Sequence, residues 1–270
     1  MKTTILITGS TDGIGFETAK RLVSAGHEVL VHGRSQAKID QALGALAALQ
    51  NGARPRGYLA DLSDLAAVRA FAEQVKSDCP RLDVLINNAG VFKVPQTKTA
   101  DGLDVRFVVN SIAPYALTEQ LLPLLGAQGR VINLSSAAQA PVDLRALRGE
   151  VDLTDSAAYA QSKLALTMWS RHLATTLGVQ APTMIAVNPG SFLGTKMVKG
   201  AYGVAGNDIG MGAEVLSRAA LSEEFGEESG RYYDNDAGRF AEPHPDALDS
   251  NKSAAVVEAI ESVLNPYAKR

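Results

Sequence analysis

The sequence predicts an α/β fold, a doubly wound parallel sheet with helices on both faces, on two observations. Short apolar runs alternate along the chain with longer stretches of helical periodicity, and parallel strands need connections long enough to hold a helix. The runs are also near-continuously apolar, as in Ile5, Leu6 and Ile7 or Val84, Leu85 and Ile86, the pattern of strands covered on both faces.

The elements follow in order. Residues 4–8 read as a strand, 14–25 as a helix and 28–32 as a second strand, a βαβ opening. The rhythm continues with strands at 56–60, 84–87, 130–135 and 183–188 and helices at 65–77, 105–125 and 156–177. From 191 to 245 glycines and charges become frequent and periodicity weakens, before a closing helix at 254–264. No repeat or linker interrupts this order. With 270 residues, 46% of them hydrophobic, the chain is expected to form one domain over 1–270.

Composition excludes several classes of function. A formal charge of -3 and 6% aromatic residues give no electrostatic footprint for a nucleic-acid partner. Cys79 is the single cysteine, so no intramolecular disulfide can form, and a buried structural thiol in a reducing compartment is expected. The chain runs directly into its first strand without a long apolar leader. The expectation is therefore a cytoplasmic protein with no membrane association, and no metal site is assigned.

Between the first strand and helix lie Thr8, Gly9, Ser10, Thr11, Asp12, Gly13, Ile14 and Gly15. Glycines permit a tight turn and close backbone approach to a pyrophosphate, and the helix N-terminus supplies donors and a favourable dipole. The same glycines would also serve a plain strand-to-helix turn. At the end of the second strand stand His32, Gly33, Arg34 and Ser35, where an acidic residue would bind the ribose hydroxyls and repel a 2′-phosphate. No carboxylate is present there, and Arg34, with Ser35 and Lys38, suits a phosphate. NADP(H) is therefore the preferred cofactor; NAD(H) stays open because Asp12 adds a negative charge near the same phosphates, and Arg34 would otherwise be a solvated cation. Asp61, with Leu62 beside it, follows the third strand and could accept from an adenine amino group or cap the next helix. Asn87, Asn88, Ala89 and Gly90 follow the fourth strand, where ligands collect outside the carboxyl ends, or else form a polar turn.

Tyr159 and Lys163 stand four positions apart on a helix, hence on one face. A free phenol titrates near ~10, and a neighbouring cation favours the phenolate, making it a better proton exchanger near neutral pH. The strand before this helix ends in Ser135 and Ser136, and Ser136 is chosen as the donor that orients a substrate oxygen. Trp169 and His172, farther along the helix, are assigned to packing or surface.

Taken together, Thr8 through Gly15, Asn87 through Gly90, Asn110, Ser136, Tyr159, Lys163, Asn188-Pro189-Gly190 and Thr195 resemble the short-chain dehydrogenase/reductase family over most of residues 1–198. The resemblance implies a Rossmann-type domain in which Tyr159 exchanges the substrate proton, Lys163 lowers its pKa and binds the nicotinamide ribose, Ser136 orients the substrate and Asn110 holds a proton-relay water. It also implies that Pro189, Gly190 and Thr195 border the nicotinamide and lead into a substrate lid at about 191–215, where Phe192, Met197, Tyr202 and Met211 are the apolar candidates. The long interval from Ser136 to Tyr159 resembles the retinol dehydrogenase-like and protochlorophyllide reductase-like branches. The implied partner is a small-molecule carbonyl or alcohol; a homodimer or homotetramer would use helices 105–125 and 156–177, or else those helices face only water. A non-catalytic NADP(H)-binding sensor or scaffold is the rival reading, against which the full set of Asn110, Ser136, Tyr159 and Lys163 argues.

Overall fold

A computed structural model describes residues 2–49 and 55–268 of the chain. Its sheet has the strand order β3-β2-β1-β4-β5-β6-β7-β8. The strands are β1 (Thr4–Ile7), β2 (Glu28–Gly33), β3 (Arg56–Leu59), β4 (Val84–Asn87), β5 (Arg130–Leu134), β6 (Thr183–Asn188), β7 (Tyr232–Asp234) and β8 (Arg239–Ala241). Every pairing is parallel except β7 with β8. Strand order reverses between β1 and β4, so their carboxyl ends open the crevice where ligands of such sheets bind.

The helices are α1 (Gly13–Ser24), α2 (Gln36–Ala47), α3 (Leu65–Asp78), α4 (Val105–Phe107), α5 (Ala113–Leu125), α6 (Leu144–Leu147), α7 (Asp155–Leu177), α8 (Lys196–Tyr202), α9 (Ile209–Leu221) and α10 (Ser250–Ala268). Helix starts are set by short polar side chains that accept from otherwise orphaned amides: Asp12 on α1, Asp64 on α3, Thr154 on α7 and Thr195 on α8. The expected helix at 105–125 is continuous in direction but contains a π-helical turn, Val108–Ile112, between α4 and α5.

Two cores cover the two sheet faces. On one, α1 and α9 bury Ala19, Leu22, Val23, Val215, Leu216 and Ala219 against Ile5, Ile7, Val29 and Ile86. On the other, α3, α5, α7 and α10 bury Val68, Phe71, Leu117, Leu121, Trp169, Val256 and Ile260 against Leu6, Leu30, Leu85 and Val131. Trp169 is thus core, as expected. Val256 and Ile260 alone bring about 3–6 kcal/mol of hydrophobic burial at roughly 1.5–3 kcal/mol per side chain.

Part of the surface of the helices expected to offer a subunit interface is covered by the chain itself. Residues 162–170 of α7 are all buried, α10 lies against them, and Tyr115 of α5 donates to Glu261 Oε1 of α10 at 2.8 Å. The stretch from 191 to 245, whose periodicity is weak in sequence, holds α8, α9, β7 and β8.

Candidate active site

The glycine turn and the loop after β4 are stitched together above the β1/β4 crevice. Gly9 and Gly13 have φ of 64° and 59°, a region that favours glycine. Asn88 Nδ2 donates to the Thr8 and Gly9 carbonyls at 2.8 and 3.0 Å, and Thr8 Oγ1 accepts from Asn88 N and Ala89 N at 3.0 Å each. Both amide hydrogens of Asn88 are therefore spent on backbone, which leaves only its Oδ1 for a ligand. Ser10 turns inward: its hydroxyl donates to Ile7 O at 2.8 Å and accepts from His32 N at 3.0 Å. Its side chain is a strut of the turn, so any ligand contact from Ser10 must come through backbone.

His32 was passed over in sequence and proves central to this turn. Gly9 N donates to its Nδ1 at 3.0 Å, which places the ring hydrogen on Nε2, 3.1 Å from the Ala60 carbonyl. The ring stacks on Phe71 with centroids 4.7 Å apart. Burial pushes its pKa down from 6.5 to about 4, so the ring is neutral and a fixed acceptor. Between these values the unfolded chain binds more protons than the folded one, so stability falls on acidification through this window. At pH 5 the loss from His32 is about 2 kcal/mol relative to pH 7. Denaturant titrations at both pH values should show that difference in the wild type and its disappearance in His32→Asn; equal pH slopes in the two proteins would contradict the assignment.

Asp12 is less of an obstacle to phosphate than its sequence position implies. It caps α1 through Gly13 N at 2.9 Å and pairs with Lys196 of α8. The bond from Lys196 holds its carboxyl below the usual range despite some burial. Its partner lies 184 positions away, beyond any local sequence signal. Arg34 stands exposed at the end of β2 and forms no ion pair among the described residues. Ser35 occupies the N-cap position of α2 without a capping bond from its side chain. Asp61 does not cap α3, since Asp64 does; its Oδ1 accepts from Ser63 N and Oγ at 2.9 and 2.7 Å. Leu62 is 5% exposed and part of the core, so only its backbone is open to a ligand.

On the other side of the crevice, Lys163 is buried and donates from Nζ to Leu134 O at 2.7 Å. Nζ lies 5.8 Å from the centroid of the Tyr159 ring, which packs on Phe92 at 4.8 Å. Burial lowers the Lys163 pKa to about 8. A β-carbon at Gly90 would sit 3.4 Å from Asn110 Oδ1 and 3.5 Å from Lys163 Nζ, so these three residues converge. Asn110 occupies the π-helical turn, a feature frequent at functional sites. Its Nδ2 donates to Val91 O and Ser162 Oγ, and its Oδ1 accepts from Val91 N. Both Nδ2 hydrogens thus clamp the β4 loop to α7, and a relay water at Asn110 would donate to one of its oxygens. Ser135 is buried against Thr167 Oγ1 at 2.7 Å, whereas Ser136 is half-buried and accepts from Ala138 N at 3.1 Å. Of the two hydroxyls, that of Ser136 keeps its hydrogen for a ligand.

Beyond β6, Pro189 and Gly190 lead into Ser191 and Phe192, and Thr195 caps α8 through Val198 N. The expected lid, 191–215, is α8 and the start of α9 joined by short turns. Lys93 Nζ donates to Ala201 O at 3.0 Å, so lysines at both ends tie α8 across the crevice. Phe192 and Met211 are 54% and 52% exposed, Met197 is half-buried, and the Tyr202 side chain lies outside the described residues. No helix among the described residues is long and apolar enough to cross a membrane.

A family model described as short chain dehydrogenase matches residues 3–202. The chain belongs to the short-chain dehydrogenase family. Within it, mouse retinol dehydrogenase 12 is 34% identical over 242 residues, covering 85% of this chain and 76% of that protein. Mouse retinol dehydrogenase 14 is 37% identical over 201 residues, covering 69% of this chain and only 60% of its own length. A short chain dehydrogenase from Burkholderia cenocepacia, solved in complex with NADP, superposes with a TM-score of 0.70 at 27% identity over 86% of this chain and 95% of that one. The chain is thus a short-chain dehydrogenase of the retinol dehydrogenase-like branch and an oxidoreductase.

Proposed function

We propose that residues 1–270 act as one NAD(P)-binding domain that uses NADP(H), in preference to NAD(H), to move hydride between nicotinamide C4 and a small or medium apolar carbonyl or alcohol. The observation that carries this is the buried Lys163 ammonium, 5.8 Å from the Tyr159 ring, at the mouth of a glycine cradle. Among the described residues beyond its chain neighbours and its own helix backbone, a β-carbon built at Gly13 would meet Thr195 Cγ2 alone, at 4.0 Å, which favours a start of α1 open to a pyrophosphate.

When bound, the nicotinamide supplies or takes up the hydride. Tyr159 Oη exchanges the proton with the substrate oxygen, and the charge on Lys163 favours the phenolate form it passes through. With one of its three hydrogens on Leu134 O, Lys163 retains donors for the nicotinamide ribose. Ser136 donates to the substrate oxygen and holds it near Tyr159. Gly9 to Gly15 take the pyrophosphate, Gly90, Pro189, Gly190 and Thr195 border the nicotinamide side, and α8 with Phe192 and Met197 keeps water from the reacting atoms. The retinol named in the relatives supports an apolar substrate, and reduction is the favoured direction because NADPH is usually the reducing pool.

The cofactor assignment rests on Arg34, whose guanidinium is free to pair with a 2′-phosphate. Arg34→Ala should weaken NADPH about 10- to 100-fold, the size of a charge-assisted contact of roughly 1.5–3 kcal/mol, and leave NADH within about twofold. The measurement is oxidation of both cofactors with a panel of ketones, aldehydes including retinal, and quinones. Equal losses for NADPH and NADH would overturn the phosphate assignment; cofactor binding without turnover of any carbonyl would favour the sensor reading.

A further inference from the structure

The hairpin of β7 and β8 closes the sheet edge next to β6, and its turn reaches back over the end of β6. Asp236 Oδ1 accepts from Ser191 N at 2.8 Å, and its Oδ2 accepts from Ser191 Oγ at 2.6 Å and from Asn188 Nδ2 at 3.0 Å. Asp234 Oδ1 takes a further bond from Asn188 Nδ2 at 2.9 Å. Asn235 donates from Nδ2 to Pro189 O at 2.9 Å and from its backbone to Asn188 O at 3.1 Å. Residues 188, 189 and 191 are therefore each held by side chains of one three-residue stretch. All three of those residues lie outside the part matched by the family model.

The segment they hold does not have this shape by preference. Gly190 takes φ 119°, which glycine adopts readily, but Phe192, a bulky residue, has φ 52°, a conformation that persists only where surroundings over-determine it. A β-carbon at Gly190 would lie 3.7 Å from both Asn235 Nδ2 and Asp236 Oδ1, so the turn rests directly on the hairpin. Burial opposes ionisation of Asp236, but the bonds from Ser191 and Asn188 keep its carboxyl below the usual range. The same hairpin also touches the other side of the crevice, where Tyr232 donates from its hydroxyl to Ser136 O at 3.2 Å.

We propose that Asp236 is the positioning residue of the nicotinamide side of the site, fixing the turn of Pro189 and Gly190 through Ser191 and Asn188, while Tyr232 on the same hairpin fixes Ser136. This rests on the reading of that turn as the nicotinamide border. Among the described residues the bonds of Asp236 reach none of Arg34, Ser35, Asp61 or the glycine turn, so its loss should separate the two halves of the cofactor. A misplacement of about 1 Å at reacting atoms costs on the order of 100-fold in rate, which sets the scale of the effect.

The test compares wild type, Asp236→Ala, Asp236→Asn and Ser191→Ala by calorimetric binding of 2′,5′-ADP and of NADPH, steady-state kcat and KM, and thermal melting. Asp236→Ala should bind 2′,5′-ADP within about twofold of wild type, weaken NADPH about tenfold, and lower kcat about 100-fold. Asp236→Asn, which keeps the acceptor for Ser191 N but loses that for Asn188, should fall between, as should Ser191→Ala. Equal weakening of 2′,5′-ADP and NADPH, or an unchanged kcat with an unchanged ratio of the two affinities, overturns the proposal. If wild type prefers NADH, the NADP(H) reading fails by itself, and ADP against NADH then decides the role of Asp236 by the same ratio. A wild type that binds none of these overturns both readings together.

Discussion

Tyr159→Phe is expected to lower kcat for carbonyl reduction by about 10²- to 10⁴-fold, the usual contribution of a positioned acid or base, while NADPH binding stays within about twofold. The substitution removes one oxygen and keeps the ring that packs on Phe92 at 4.8 Å, so folding and the shape of the crevice should survive. Lys163 keeps its bond to Leu134 O and its remaining donors. What is lost is the group proposed to deliver a proton to the substrate oxygen as the carbon is reduced. Steady-state turnover and NADPH fluorescence titration on the same preparation separate the two quantities. A kcat within about tenfold of wild type would remove Tyr159 from the role of proton donor.

Gly15→Ala should have a comparable effect through binding. Two opposing terms act at this position. Alanine in a helix is favoured over glycine by about 1 kcal/mol, and Gly15 lies in the first turn of α1. Its β-carbon, however, would fall 2.4 Å from Asn88 Nδ2 and 2.6 Å from the Gly9 carbonyl, closer than real contacts allow. Gly9 is backbone and Asn88 is tied to Thr8 and Gly9, so the clash wins: overpacking of this kind costs roughly 1–3 kcal/mol. A displaced turn carrying about 3 kcal/mol of that strain into the complex should weaken NADPH on the order of 100-fold. Gly44 supplies the control, being helical in α2 with nothing within 4 Å of its β-carbon. Gly44→Ala should be neutral or stabilising by up to about 1 kcal/mol, measured by the same melts and titrations. Tight NADPH binding by Gly15→Ala would refute the cradle.

What sequence made legible was whatever is encoded within one element. The α/β order follows from runs such as those at β1 and β4, and the Tyr159–Lys163 pair from a four-residue helical spacing. The glycine turn was legible because it is contiguous. Helix α2 was missed, although Ile39, Ala42 and Leu46 form its buried stripe, because small alanines blur the contrast between its faces. β7 and β8 have three residues each, too few for an alternation to register. The site residues that escaped notice depend on partners far along the chain: Lys196 meets Asp12, His32 meets Gly9 and Ala60, and Asp236 meets Asn188 and Ser191. At Asp61 and Leu62 the structure adds what a strand-end position does not encode: Asp61 Oδ1 closes a turn at Ser63 and the Leu62 side chain packs in the core, which leaves Asp61 Oδ2 and the Leu62 backbone as the proposed adenine contacts.

The packing of α10 across α7 also bears on how the chain is made. Trp169, Met168 and Leu173 are ready early in synthesis, yet Val256 and Ile260, which cover that face, emerge more than 80 residues later. During that interval a nascent chain with every proposed catalytic residue already outside the ribosome carries an open apolar surface. Such a surface invites chaperones and aggregation until α10 docks. Docking of α10 closes that surface, so a chain cut ahead of residue 250 is expected to reopen it along α7.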